Sequence, residues 1–285
     1  MTHIIRYVDS ADRPAIGITG DDRTVRPLAV SSLAELLALP LADIRAAVER
    51  AAGGAPMPGA GLRPLPPVDG LTEVWAGGVT YERSREARIE ESGDGDVYAR
   101  VYDAVRPELF FKSMAWRVVG DGDPVGVRAD SSSNTPEPEL ALVLNGAGEI
   151  VGLSVCNDVS SRTIEGENPL YLPQAKIYTA ACSLGPGIRP IWEVADPADL
   201  AISCTIRRAG EPVWSAATST ARLHRRFDDL IEHLFRAMTF PHGVILSTGT
   251  GIVPDLDLSL TEGDVVRIEI EGVGVLINPV TRVPA

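Results

Sequence analysis

The chain has 285 residues, of which 45% are hydrophobic and 23% charged, enough for a full core in one large domain or a large domain with a small one, and too apolar for a disordered or fibrous protein. Its formal net charge of −13 argues against a nucleic-acid partner, because phosphate backbones are held by clustered Lys and Arg, and here the Arg207-Arg208 and Arg225-Arg226 pairs stand isolated.

In chain order, the first residues, MTHIIRYVDS, carry no basic segment followed by a long apolar run. Nowhere does an uninterrupted apolar stretch approach the roughly 18 residues that a membrane span needs. A cytoplasmic protein with no membrane partner is expected. Residues 3–8 and 15–19 read as strands, and Ser32 with Glu35 has the form of a capping box opening a helix that Pro40 interrupts. A second helix, LADIRAAVERAA, should end at Gly53-Gly54. The segment PMPGAGLRPLPPVDG is too rich in Pro and Gly for a helix interior or central strand, and it marks the clearest boundary. It separates a small N-terminal α/β unit, 1–65, from a larger unit, 66–285. Beyond it, LALVL, EIVGLSV and VVRIEIEGVGVLI read as strands between Gly and Asn turns. Helices are expected near 80–91 and near 224–238, the latter with Leu223, Phe227, Leu230, Ile231, Leu234 and Phe235 along one stripe. The class is therefore α+β. Gly249-Thr250-Gly251 lacks the third glycine of a dinucleotide fingerprint and the lysine of a P-loop. Cys156, Cys182 and Cys204 form no CxxC pair and read as reduced packing residues.

The stretch TPEPELALVLNGAGEIVGLSVCNDVSSR, 135–162, carries the chemistry. Two apolar strands flank Asn145-Gly146-Ala147-Gly148, a hairpin turn signal. With those four residues as the loop, Leu144 faces Glu149, Glu139 faces Ser154 and Glu137 faces Cys156. Alternation then sends Glu137, Glu139 and Asp158 to one face, whereas a slip of one residue would turn Asp158 away. Three converging carboxylates repel one another unless a proton or cation intervenes, and hard oxygen ligands suit Mg²⁺, Mn²⁺ or Ca²⁺. Solvated acids at a sheet edge are the competing account, and Pro136 and Pro138, which rule out a regular central strand there and suit a strand entering from a loop, weigh against it.

PEPELALVL, GEIVGLSVCNDVSSR and ENPLYLPQAKIYTAACSLGP together resemble the metal-binding core of the fumarylacetoacetate hydrolase superfamily, whose pattern is ExE followed by an Asp in an NDxS segment. The resemblance spans residues 71–280 and includes GGVTYERSREAR, RPELFFK, LHRRFDDL and STGTGIVP. It implies a mixed β-roll catalytic domain beside a small N-terminal unit, in a homo-oligomer (dimer or tetramer). It also implies Mg²⁺, with Mn²⁺ or Ca²⁺ as alternatives, held by Glu137, Glu139 and Asp158. Lys176 falls at a position where the family keeps a lysine facing the substrate, and Thr250 on a loop that contacts the substrate carboxylate. Lys112 and Ser84 are further substrate-binding candidates. Among the acids and bases, Glu108 is a candidate catalytic group, since burial before an apolar strand raises a carboxyl pKa. Arg83 and Arg85 suit an anionic substrate, or equally a solvated helix face.

His3, His224, His233 and His242 lie outside any recognisable dyad for activating water, which the hydrolytic members of the superfamily use. SSRTIEGENPLYLPQAKIY and RPELFFK resemble the branch that dehydrates 2-oxo-3-deoxy sugar acids. The expected activity is metal-dependent dehydration of a 2-oxo-3-deoxy pentonate to 2,5-dioxopentanoate. Acylpyruvate-type hydrolysis or 2-oxo-diacid decarboxylation is the alternative.

Overall fold

The computed structural model describes residues 1–20, 24–91 and 95–284. Its largest feature is an eleven-stranded mixed sheet. At the centre lies the hairpin of Pro138–Leu144 and Ile150–Asp158, flanked on one side by Cys182–Pro190 and on the other by Val244–Thr250. Glu73–Gly78 and Glu108–Met114 complete that second side. The N-terminal strands His3–Val8 and Pro14–Thr19 extend the sheet past Cys182–Pro190 through the pairing of Ile4 with Ile188. A five-stranded sheet, ordered Glu211–Ser219, Ala201–Arg208, Val265–Ile270, Gly274–Val283 and Val125–Arg128, packs on one face.

Strand Pro138–Leu144 is buried along its whole length because both faces are covered. Leu140, Leu142 and Leu144 point into a core shared with Ile202, Ile206, Ile268 and Ile270 of the five-stranded sheet. Ala141 and Val143 point the other way, toward Leu33, Leu36, Leu37, Ile44 and Val48 of the two N-terminal helices, Leu33–Leu37 and Leu41–Ala52. The continuous apolar run LALVL is the sequence mark of such two-sided burial. Ser32 caps the first helix by accepting from the Glu35 N–H (3.0 Å), while the Glu35 carboxylate turns to Ser31. Helix Phe227–Phe235 buries Leu230 and Leu234 as its stripe requires. Two short helices, Arg162–Glu167 and Leu172–Lys176, fall where no amphipathic period is legible, and a third, Gly95–Asp103, was not expected although Val97, Tyr98, Val101 and Tyr102 have helical spacing.

The hairpin register differs from the expected one by two separate steps. Asn145 accepts from the Ala147 and Glu149 N–H groups (3.1 and 2.8 Å) and donates its own N–H to the Glu149 carbonyl (3.1 Å), so the loop takes in Glu149 and Leu144 pairs with Ile150. A bulge then leaves Val151 unpaired, placing Val143 opposite Gly152 and Glu139 opposite Cys156. Each step alone would invert the faces. Together they shift the ladder by two and restore the alternation, so that the Glu137 carbonyl accepts from the Asp158 N–H at 3.0 Å.

Candidate active site and metal centre

Where the sheet face leaves the cover of the N-terminal helices, its inward positions become Glu137, Glu139 and Asp158, all buried. One oxygen from each lies within 4.8 Å of the others. Glu137 and Glu139 open onto a cavity also lined by Gly78, Ser84, Arg88, Glu108, Phe110, Glu165, Lys176 and Thr250, among others.

Cations hold two of the three acids. Lys176, at the end of helix Leu172–Lys176, places Nζ 2.6 Å from Glu137 Oε2 and 3.5 Å from Asp158 Oδ2. Lys112 pairs with Asp158 Oδ1 and also donates to the carbonyls of Val159 (3.0 Å) and Lys176 (2.6 Å). Arg88 bridges Glu137 Oε1 (2.9 Å) and Glu165. Burial opposes ionisation of Glu137, yet Lys176 and Arg88 outweigh it and hold the carboxyl at about 2. Burial also opposes the Lys176 ammonium, but Asp158 and Glu137 raise its pKa above the usual lysine value. Lys112 and Lys176 are the only lysines in the sequence, and both are enclosed here.

Glu139 is held by neutral donors, the Ser247 hydroxyl (2.5 Å) and the Gly249 N–H (2.8 Å), both on Oε2. Burial, reinforced by Asp158, Cys156 and Glu137, pushes its pKa well above the ordinary carboxyl value. A divalent cation among the three acids would relieve that charge, and an all-oxygen donor set suits a hard ion such as Mg²⁺. Gly249 has a φ of +88°, and a β-carbon there would run into Thr80, so glycine is needed to bring its N–H to Glu139.

Glu108 lies opposite Gly78, whose missing side chain leaves room for the carboxyl. Its pKa is raised chiefly by burial, partly countered by Arg88 and Lys176. It faces the same cavity as Lys176, and both reach the space beside the triad. Ser84 also lines the cavity, though its hydroxyl donates to the Tyr81 carbonyl (2.7 Å) and accepts from the Tyr81 N–H (3.1 Å). Thr250 lines the cavity while its hydroxyl donates to the Pro138 carbonyl (2.9 Å).

Two of the sequence-derived substrate contacts lie elsewhere. Arg83 sits on the outer side of helix Glu82–Glu91, beside Glu86 (3.8 Å) and Glu90 (3.4 Å), because a helix that buries Ser84 and Ala87 turns position 83 outward. Lys112 stands behind Asp158 and outside the cavity lining, its donors directed at protein acceptors. Sequence reasoning missed Arg88, Glu165 and Ser247, and weighed Gly249 only as a glycine beside Thr250. The i, i+4 spacing of Ser84 and Arg88 was the available signal for the first. Among the described residues, no histidine lines the cavity. His3 bonds the Val273 carbonyl, His224 stacks on Tyr102 at 4.1 Å, and His233 bonds the Asp229 carbonyl.

The sequence matches the family model for the fumarylacetoacetate (FAA) hydrolase C-terminal region over residues 79–281, and the chain belongs to that family. It is 52% identical over 217 residues to the probable 2-keto-3-deoxyxylonate dehydratase of Haloferax volcanii, a match covering 76% of this chain and 74% of that protein. To the 2-dehydro-3-deoxy-D-arabinonate dehydratase of Saccharolobus solfataricus it is 43% identical over 225 residues, covering 78% and 75%. A solved structure of 2-keto-3-deoxy-D-arabinonate dehydratase complexed with magnesium and 2,5-dioxopentanoate superposes with a TM-score of 0.83 at 34% identity, covering 99% of each chain.

Proposed function

We propose that this protein dehydrates a 2-oxo-3-deoxy pentonate, 2-dehydro-3-deoxy-D-arabinonate or -xylonate, to 2,5-dioxopentanoate and water, using a divalent cation. The observation that carries the reading is a complete acid triad beside Lys176 and Glu108 in a cavity that no described histidine lines. The names of the similar dehydratases, and the magnesium and 2,5-dioxopentanoate held by one of them, agree with it.

Glu137, Glu139 and Asp158 would hold Mg²⁺, which supplies Lewis-acid polarisation of the substrate's carboxylate and 2-oxo group. The chain's own residues do the rest. Lys176 presents a fixed ammonium to the space where negative charge develops on the 2-oxo oxygen as C3 loses a proton. Glu108, with its raised pKa and its place in the cavity wall, carries that proton and delivers one to the C4 hydroxyl, which leaves as water. The resulting C3=C4 alkene isomerises: C5 and its hydroxyl each give up a proton while C3 and C4 each gain one, leaving the C5 aldehyde. Phe110 and Leu172 line the apolar part of the wall and limit the access of water. No step consumes water, in keeping with the cavity's lining.

The finer setting belongs to the same proposal: pentose catabolism in the cytoplasm, in a homo-oligomer, with residues 1–65 as a unit distinct from the catalytic one. The decisive experiment incubates the purified protein with Mg²⁺ and a panel of 2-oxo-3-deoxy sugar acids and identifies products by mass. Loss of one water, with solvent deuterium entering C3 and C4, is expected. Pyruvate, a two-carbon aldehyde or carbon dioxide as the main product would overturn the reading in favour of cleavage or decarboxylation.

A further inference from the structure

Lys112 is enclosed between two backbone carbonyls and a carboxylate that belong to the site. An ammonium has three N–H donors and no acceptor. Lys112 donates to the Val159 and Lys176 carbonyls (3.0 and 2.6 Å) and forms an ion pair with Asp158 Oδ1. These belong to two separately folded pieces, the end of the metal strand and the end of helix Leu172–Lys176. With Oδ1 engaged by Lys112, Oδ2 is the Asp158 oxygen that remains toward Lys176 and the triad. The carbonyl drawn in by Lys112 is that of Lys176 itself, so the same ammonium fixes the backbone from which the Lys176 side chain departs.

We propose that Lys112 is a positioning residue, which sets the Asp158 carboxylate and the Lys176 ammonium at their working separation without touching substrate. A buried cation beside a metal ligand has a second account, in which it merely balances charge, and the two differ in sign. Removing a charge-balancing cation from beside a divalent ion should tighten metal binding, since a like charge is lost. Removal of a positioning cation should weaken it, because Asp158 is freed to rotate; loss of such outer contacts typically costs about 10–100-fold in metal affinity or activity.

The test is Mn²⁺ binding to the full-length protein, followed by electron paramagnetic resonance of free Mn²⁺, for the wild type, Lys112→Met and Lys112→Arg. Binding is measured without substrate, so it stands apart from the dehydratase reading, on which only the kinetic arm rests. Both variants are expected to bind Mn²⁺ about 10-fold or more weakly and to lose about 10-fold or more in kcat while KM changes little. Arginine keeps the charge but offers a planar fork instead of three divergent donors, so it should not rescue. Mn²⁺ affinity unchanged or tighter in Lys112→Met, or restored by Lys112→Arg, would overturn positioning. Should Lys112→Met fail to fold, Lys112→Arg alone decides: wild-type affinity and kcat refute the proposal, and a joint loss supports it.

Discussion

The strands of the central hairpin are buried both toward the turn and toward the site, and the two parts are opposite in content. Toward the turn, Ala141, Val143 and Leu142 pack between helices and sheets, and Asn145 and Glu149 close the loop with local hydrogen bonds. At the other end, two residues further along the same face, the strand carries Glu139 and then Glu137 opposite Asp158. Burial by itself therefore does not separate core from site. What separates them is whether the buried groups satisfy one another: the turn end is complete, while the site end gathers three acids of which one, Glu139, has only neutral donors.

If that contrast is functional, perturbing the site end should abolish chemistry and spare the fold, and perturbing the turn end should do the reverse. The largest effect expected is from metal removal: chelation should abolish turnover, and Mg²⁺ or Mn²⁺ should restore it. One cation per chain is expected by calorimetric titration, and Glu139→Gln should weaken it strongly. Full activity in the chelated protein would end the metal reading. Next, Lys176→Met should lower kcat by about 10²–10³-fold or more while the far-ultraviolet circular dichroism is unchanged, because a fixed charge at the developing oxyanion is lost. A near-normal rate would reduce Lys176 to a structural ion pair.

At the turn end, Leu142→Ala should cost about 2–5 kcal/mol in urea unfolding, as a fully buried leucine leaves a cavity, with kcat per folded molecule unaltered. Equal loss of kcat would mean that the two ends are mechanically one. The smallest effect concerns Glu149, whose pKa the Leu41 N–H, and then Asn145, hold below its ordinary 4.5. A depressed carboxylate stabilises the fold above its unfolded value and loses that contribution as pH falls through the folded value. Glu149→Gln should thus be slightly less stable than wild type near neutrality, with the gap closing on acidification below 4.5. A gap that widens in acid would refute the link between loop and helix Leu41–Ala52.

Much of this was legible in the chain before any coordinates. Both N-terminal helices, the stripe of Phe227–Phe235 and the three acids on one face follow from periodicity and turn chemistry. The acids survived a wrong register because the two errors were each one residue and alternation has period two. Arg83 was singled out and Arg88 was not, since positions five residues apart on a helix differ in facing by about 140° and only packing fixes the phase. Lys112 illustrates a deeper limit. Its residue type and place on strand Glu108–Met114 suggest a substrate contact, but its two carbonyl acceptors and its ion-pair partner arrive from segments 46 to 64 residues away, which no local pattern encodes.

Confinement of both lysines to this one buried cluster leaves the described surface without an ε-amine for acylating reagents to reach. Every other basic side chain on its surface is an arginine or a histidine. A pulse of such a reagent followed by peptide mass analysis would therefore time the opening of the active site itself, residue by residue, with no background from surface ε-amines.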